Sequence, residues 1–205
     1  MMLNNGMWNG QQVVSEEWIA ESSKNYVVPE ALGTGYGYQW WLGEANINGH
    51  TVQTYFAQGL GGQFIFIVPK MNLTAVFTSQ LYNNPEGQFR GQVMMTDYIL
   101  PALLPPAPPY EMITLDQDVL EDYVGEYEFK RWNTKLSVIR EGKKLFVLTP
   151  DMEKAELFPI SETAFRADVK EIGNIQIDFS HDDSGKNHHL ELRIGFSHLD
   201  FDKTR

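Results

Sequence analysis

The run Leu104-Pro105-Pro106-Ala107-Pro108-Pro109 constrains this chain more than any other feature. Proline fixes φ near one value and carries no backbone N–H, so a run of this kind can join neither a helix interior nor a sheet ladder. It reads as a stiff, extended linker. The chain is therefore expected to divide into a first domain at 1–104, a Pro-rich linker at 105–114 and a second domain at 115–205. Each half has the size of a small domain. The hydrophobic fraction of 42% and the aromatic fraction of 13% supply apolar surface for a core in each.

Before the linker, helices and strands alternate. Ser15 is a candidate N-cap, and Glu16 and Glu17 suit the first turn of a helix reaching about Ser22, with Trp18 and Ile19 on its buried side. Residues 33–43 read as a Gly-punctuated loop entering an aromatic strand, and 52–57 as a second strand. Residues 63–69 form a continuous apolar run that suits a strand buried on both faces. A fourth strand spans 73–79, joined to the third by a hairpin connection at Pro69-Lys70-Met71-Asn72. Phe89, Val93, Met94, Ile99 and Leu103 recur near helical spacing, and that helix is expected to stop or kink before Pro101. Met1-Met2-Leu3 followed by Asn4-Asn5-Gly6 has the pattern of a helix C-terminus, which raises the expectation of a preceding segment.

After the linker the period changes. A helical turn at 115–121 leads into short alternating runs at 123–129, 135–140, 144–148, 155–160, 164–169, 175–179, 189–194 and 197–201. Turn signals separate them, among them Glu141-Gly142 and Asp182-Asp183-Ser184-Gly185. Evenly spaced short strands predict a small antiparallel barrel or sandwich. The fold class is thus α+β: a partial antiparallel sheet with flanking helices, then a small all-β domain. A ligand cavity in that domain would be lined by Phe129, Leu136, Phe146, Phe165 and Phe179. The charged run from Glu121 to Glu128 reads as a solvated face.

Charge excludes some functions. A formal net charge of −11 is unsuited to binding nucleic acid, which needs clustered Lys and Arg to neutralise phosphates. No apolar run approaches the roughly 20 residues of a membrane-spanning helix. The N-terminus lacks the basic start and apolar core of a signal peptide, and localisation stays open. With no cysteine, thiolate ligation and disulfides are out of reach. His188 and His189 adjoin Asp182 and Asp183, but neighbours on a strand point to opposite faces and cannot chelate together, so no metal and no cofactor is expected.

Several segments carry a family likeness. Met2-Leu3-Asn4-Asn5-Gly6, then Trp8-Asn9-Gly10 through Trp18-Ile19, then Gly35-Tyr36-Gly37-Tyr38-Gln39-Trp40-Trp41, then Ala57-Gln58-Gly59-Leu60-Gly61-Gly62-Gln63 and Phe64-Ile65-Phe66-Ile67-Val68-Pro69 follow one another in a set order. In that order they resemble the C-terminal portion of the serine β-lactamase-like hydrolases, which include class C β-lactamases, penicillin-binding proteins and esterases. Tyr123-Val124-Gly125-Glu126-Tyr127 opens a segment similar to the lipocalin-like β domain that many of them carry. The resemblance implies that the sheet before the linker is part of a β-lactamase-like sheet. It implies a small-molecule or peptide-like substrate in an intact parent, and a family that is mostly bacterial and commonly periplasmic or secreted.

The chemistry of that family needs a Ser in Ser-x-x-Lys, a Tyr-x-Asn motif and a Lys/His-Thr-Gly strand whose following N–H holds the oxyanion. No serine here has Lys three positions on; Ser22-Ser23-Lys24 has the wrong spacing, since helical partners must sit about one turn apart. Tyr82-Asn83-Asn84 matches Tyr-x-Asn in letters but follows the third motif, and reads as a turn. By the resemblance, Ala57, Gln58 and Gly59 take the third motif's place, with Leu60 N–H as oxyanion donor and Gly61, Gly62 and Gln63 completing the substrate-binding turn. Ala57 brings neither charge nor ring, which departs from the family's carboxylate recognition. The same glycines also suit a tight hairpin with no chemistry. Two functions follow as expectations: a hydrolase fragment inactive alone, or a non-catalytic ligand- or partner-binding module. Strands drawn from a larger sheet would leave an open edge, so association with itself or with a missing N-terminal part is expected.

Overall fold

A computed structural model describes residues 1–27, 34–82, 86–106, 112–130, 133–149, 154–170 and 172–204. The chain divides into two compact units, Met1–Ala107 and Pro108–Arg205. Part of the Pro-rich stretch lies outside the described residues.

The first unit opens with a two-stranded ribbon, β1 (Met7–Trp8) and β2 (Gln11–Gln12), before helix α1 (Glu16–Ser22). Ser15 caps α1 as its sequence predicts, with Oγ accepting from Trp18 N at 3.1 Å. Ile19 is buried, but Trp18 is 53% exposed, contrary to expectation. Its ring lies against Tyr38, which stacks in turn on Tyr26, so side-chain contacts from residues far along the chain hold it at the surface.

A five-stranded antiparallel sheet follows in the order β3 (Gly35–Tyr36), β4 (Trp41–Ile47), β5 (His50–Gly59), β6 (Gln63–Val68) and β7 (Leu73–Phe77). Asn48 and Gly49, both at positive φ, make the β4–β5 turn and place His50 just after the tip. One sheet face is the core: Phe56, Phe64 and Phe66 are almost wholly buried and in mutual ring contact. On the other face Ile65 and Val76 stand opposite each other, 41% and 63% exposed. The apolar run 63–69 is therefore buried on both faces only in its second half.

Helix α2 (Arg90–Val93), a π-helical stretch (Met94–Ile99) and α3 (Leu100–Leu103) run on without a break. The predicted stop before Pro101 does not occur. Pro101 follows the π-helical stretch directly, and the wider turn there departs from the regular i to i−4 ladder that a proline would break.

In the second unit, α4 (Gln117–Tyr123) precedes eight strands. They are β8 (Gly125–Phe129), β9 (Thr134–Glu141), β10 (Lys144–Leu148), β11 (Ala155–Pro159), β12 (Ala164–Val169), β13 (Gly173–His181), β14 (Asn187–Ile194) and β15 (Ser197–Lys203). Each pairs antiparallel with the next, and β15 returns to β8, closing a barrel. Alternation along the strands sends apolar residues inward. Phe129, Leu136, Phe165 and Phe179 are buried there, whereas Phe146 faces outward beneath the Lys154 ammonium at 4.1 Å. Its neighbours Leu145 and Val147 take the inward places on β10, which excludes Phe146 from any interior lining. Tyr123 of α4 stacks on Phe179 at 4.2 Å and meets Phe165 edge-on at 5.5 Å, filling the interior with rings.

The charged run from Glu121 to Glu128, which begins inside α4, is not a simple solvated face. Tyr123 and Tyr127 are buried. Asp122 Oδ2 accepts from Asn187 N at 3.1 Å and lies 3.0 Å from His181 Nε2, while Lys203 Nζ donates to the Asp122 carbonyl at 2.6 Å. The Tyr127 hydroxyl donates to the Tyr123 carbonyl and accepts from the Asn187 side-chain amide. Burial pushes the Tyr127 phenol above its ordinary range. The overall class is mostly β, with a closed eight-stranded barrel and few helices.

Candidate functional site

The β5–β6 turn gathers every residue that the sequence marks for substrate contact. β5 pairs with β6 through Gly59, opposite Gln63, and the turn is Leu60-Gly61-Gly62. β4 stops earlier: its last pair is Trp41 with Phe56. Ala57, Gln58 and Gly59 thus have β6 as their ladder partner and, among the described residues, an open flank on the β4 side. In an antiparallel ladder successive residues aim their N–H and C=O alternately to the two sides. The ladder turns the backbone groups of Ala57 and Gly59 toward β6, and those of Gln58 toward the open flank.

The turn is shaped by glycine where glycine is required. Gly61 and Gly62 have φ of 89° and 81°, in the region that L side chains rarely adopt. A Cβ on Gly61 would lie 2.9 Å from the Tyr82 ring, and one on Gly62 would lie 2.4 Å from the Gly87 carbonyl oxygen. Leu60 is 71% exposed at the tip, and its N–H has no hydrogen-bond partner among the described residues.

The segment after β7 wraps this turn. Leu81 N donates to Gly61 O at 3.0 Å. Gln63 Nε2 donates to the Tyr82 hydroxyl at 3.2 Å and to Ser79 O at 3.4 Å. Gln58 Nε2 donates to Gln88 O at 3.0 Å. Tyr82 therefore belongs to the site's supporting structure; Asn83 and Asn84 lie outside the described residues. Sequence reasoning missed this support. Gly87 is the one local signal for it, since a Cβ there would meet Leu81 at 2.6 Å.

The turn offers a backbone N–H, close approach and a wall in which Ala57, Gln58 and Gln63 carry no ionisable group. Such a turn can hydrogen-bond an anionic oxygen, and the Ser79 hydroxyl oxygen lies beside it, 3.5 Å from where a Cβ on Gly62 would fall. Trp40, near the start of β4, packs edge-on against Tyr55 at 5.5 Å, and Trp41 packs on Tyr36.

A second polar cluster lies on the outer wall of β13–β15. His189 Nε2 lies 3.0 Å from Asp200 Oδ1, so this histidine is paired on the barrel wall. His198 Nδ1 lies 2.6 Å from Glu191 Oε1, and the Arg193 guanidinium donates to both Glu191 oxygens at 3.1 and 3.0 Å. Among the described residues, no group of three or more His, Asp or Glu side chains could hold a metal ion. The hydrogen bond from His198, helped by Arg193, holds the Glu191 carboxyl down from its ordinary 4.5 to about 2, against the opposing effect of burial.

A pKa depressed on folding adds stability that is fully present above the unfolded value and is lost as pH falls through the folded one. Barrel unfolding followed by circular dichroism is expected to show a midpoint that drops between pH 4.5 and about 2, with Glu191→Gln removing part of that dependence. Identical slopes for the two proteins would count against the assignment.

Comparison with known proteins supplies context for both units. A family described as Domain of unknown function (DUF3471) matches residues 111–204, the segment that forms α4 and the barrel. A crystal structure of SurE with D-Leu has a TM-score of 0.50 at 15% identity, over 96% of this chain and 45% of that one. A second structure of SurE has a TM-score of 0.49 at 17% identity, over 94% of this chain and 43% of that one. An octameric penicillin-binding protein homologue from Pyrococcus abyssi has a TM-score of 0.34 at 19% identity, over 98% of this chain and 44% of that one. At these identities the likeness to SurE with D-Leu is one of fold. The chain spans less than half the length of each of these structures. No curated protein matches it. No helix among the described residues is long and apolar enough to cross a membrane.

Proposed function

We propose that this chain is the C-terminal part of a serine β-lactamase-like hydrolase: the end of its catalytic domain, a Pro-rich linker and an appended β domain. In the intact protein a serine hydroxyl attacks the carbonyl carbon of an amide or ester. The carbonyl π electrons move onto oxygen; as they return, the C–N or C–O bond breaks and the serine's proton passes through the upstream base to the leaving amine or alcohol, and water then cleaves the acyl-serine ester to the acid and free serine. The chain contributes the wall that receives the oxyanion, with Leu60 N–H as one donor. Losing a single such donor typically lowers kcat by about 100- to 1000-fold. Ala57, Gln58, Gly59, Gly61, Gly62 and Gln63 form the substrate side of the wall. The observation that carries this reading is the Leu60 N–H, unpaired among the described residues, beside the open flank of β5.

The reading also accounts for the apolar face carrying Ile65 and Val76, which the rest of a longer protein or a second copy would cover. The ring contacts inside the barrel weigh against a ligand held there. A partner-binding role for the barrel's outer surface is compatible with the hydrolase reading.

Labelling with a fluorescent penicillin or a fluorophosphonate tests it. The 205-residue chain is expected to stay unlabelled, since catalytic groups act as a unit and an oxyanion donor alone does not replace the serine. A polypeptide extended upstream through Ser-x-x-Lys is expected to label covalently. Labelling of the short chain, or none of the extended one, would overturn the proposal.

A further inference from the structure

The turn carrying Leu60 is poorly determined by its own residues. Two consecutive glycines at positive φ have more conformational freedom to lose on folding than any other pair. A backbone donor is useful only when it is already aimed, because preorganisation is the source of its effect. Something outside the turn must hold it, and Ser79, Leu81, Tyr82 and Gln88 contact it or its flanking residues.

We propose that Tyr82 is the positioning residue of this turn, its ring seated on Gly61 so that Leu60 N–H is held toward the open flank of β5. The proposal rests on the reading of Leu60 as an oxyanion donor. The Gly61 Cα presents its bare side to Tyr82, where a Cβ would fall 2.9 Å from both Cδ1 and Cε1 and 3.3 Å from Cζ. Gly61 is buried, and its carbonyl is bonded to Leu81 N, the residue before Tyr82. The Tyr82 hydroxyl accepts from Gln63 Nε2, so one side chain touches the middle and the exit of the turn. Tyr82 is itself 53% exposed. It contributes little core packing, and its removal acts locally.

The test uses the 15N-labelled 205-residue chain and its Tyr82→Ala and Tyr82→Phe forms, with backbone order parameters for Leu60, Gly61 and Gly62 and thermal midpoints for all three. Wild type and Tyr82→Phe are expected near the rigid-backbone value of about 0.85, and Tyr82→Ala below about 0.6 at these residues. The midpoints are expected to stay together. A Tyr82→Ala turn as ordered as wild type, or a Tyr82→Phe turn as mobile as Tyr82→Ala, would overturn the role of the ring. Should Tyr82→Ala fail to fold, Gly61→Ala gives the second measurement: its methyl meets the same ring, and the Leu60 amide resonance is expected to shift. An unmoved Leu60 resonance would overturn the proposal. Order parameters report the turn without any chemistry. A Tyr82-dependent turn in a protein whose upstream-extended form resists acyl probes therefore keeps the clamp and removes the hydrolase reading, while a turn indifferent to Tyr82 removes the clamp alone.

Discussion

Phe165→Ala is expected to destabilise the barrel by about 4 kcal/mol, in the range for a fully buried phenylalanine cut back to alanine. Phe165 has no exposed surface, and it meets Tyr123 and Phe179 edge-on, each at 5.5 Å. The change leaves a cavity bounded by two large rings, one on α4 and one on β13. These neighbours cannot collapse into it without breaking the Tyr123 stack on Phe179 or the bond from the Tyr123 hydroxyl to Glu162 O. For a unit of this size each kcal/mol lowers the midpoint by roughly 4–8 °C, so the barrel's transition is expected to fall by well over 10 °C. Differential scanning calorimetry measures this. Phe165→Leu, which keeps most of the volume, is expected to recover more than half of the loss. A barrel transition unmoved by Phe165→Ala would contradict the packing described.

Gly91→Ala has an expected effect whose sign is the test. On helix propensity alone, replacing a helical glycine by alanine stabilises by about 1 kcal/mol. In this fold the new Cβ would lie 2.2 Å from Cδ2 of Phe64. Phe64 is 1% exposed and stacked on Phe66 at 5.1 Å, so its ring has nowhere to go. Overpacking of a core typically costs about 1–3 kcal/mol, enough to reverse the propensity gain. Set against the propensity gain, the first unit is expected to lose about 1 kcal/mol net in urea unfolding. A more stable variant would mean that α2 does not lie on the Phe64 face of the sheet.

Gly91 shows why part of this fold is not legible in the sequence. Its neighbours give the pattern of a helix, and a helix forms there, but nothing local says that the helix approaches a phenylalanine ring 27 residues away. Trp18 and Phe146 carry the same lesson. Each is apolar and sits in a regular element, yet each faces outward, because Ile19 on α1 and Leu145 and Val147 on β10 take the inward places. Pro101 is tolerated because a π turn precedes it, which a single proline does not announce. The candidate site divides in the same way. Its glycines stand out in the sequence, while the contacts that hold the turn come from Leu81, Tyr82 and Gln88.

Local features follow from the residues alone: the Ser15 cap, the short alternating strands after the prolines, and the glycine-shaped turn at positions 61 and 62. These depend on side-chain sterics, hydrogen bonding within a few residues and the two-residue period of a strand, all of which act along the chain. The tertiary structure decided which apolar side chains are covered, that β15 closes onto β8, that Asp122 meets His181 and Asn187, and that Tyr82 covers Gly61. Each of these joins residues well separated in sequence, and only the packed fold brings them within contact distance.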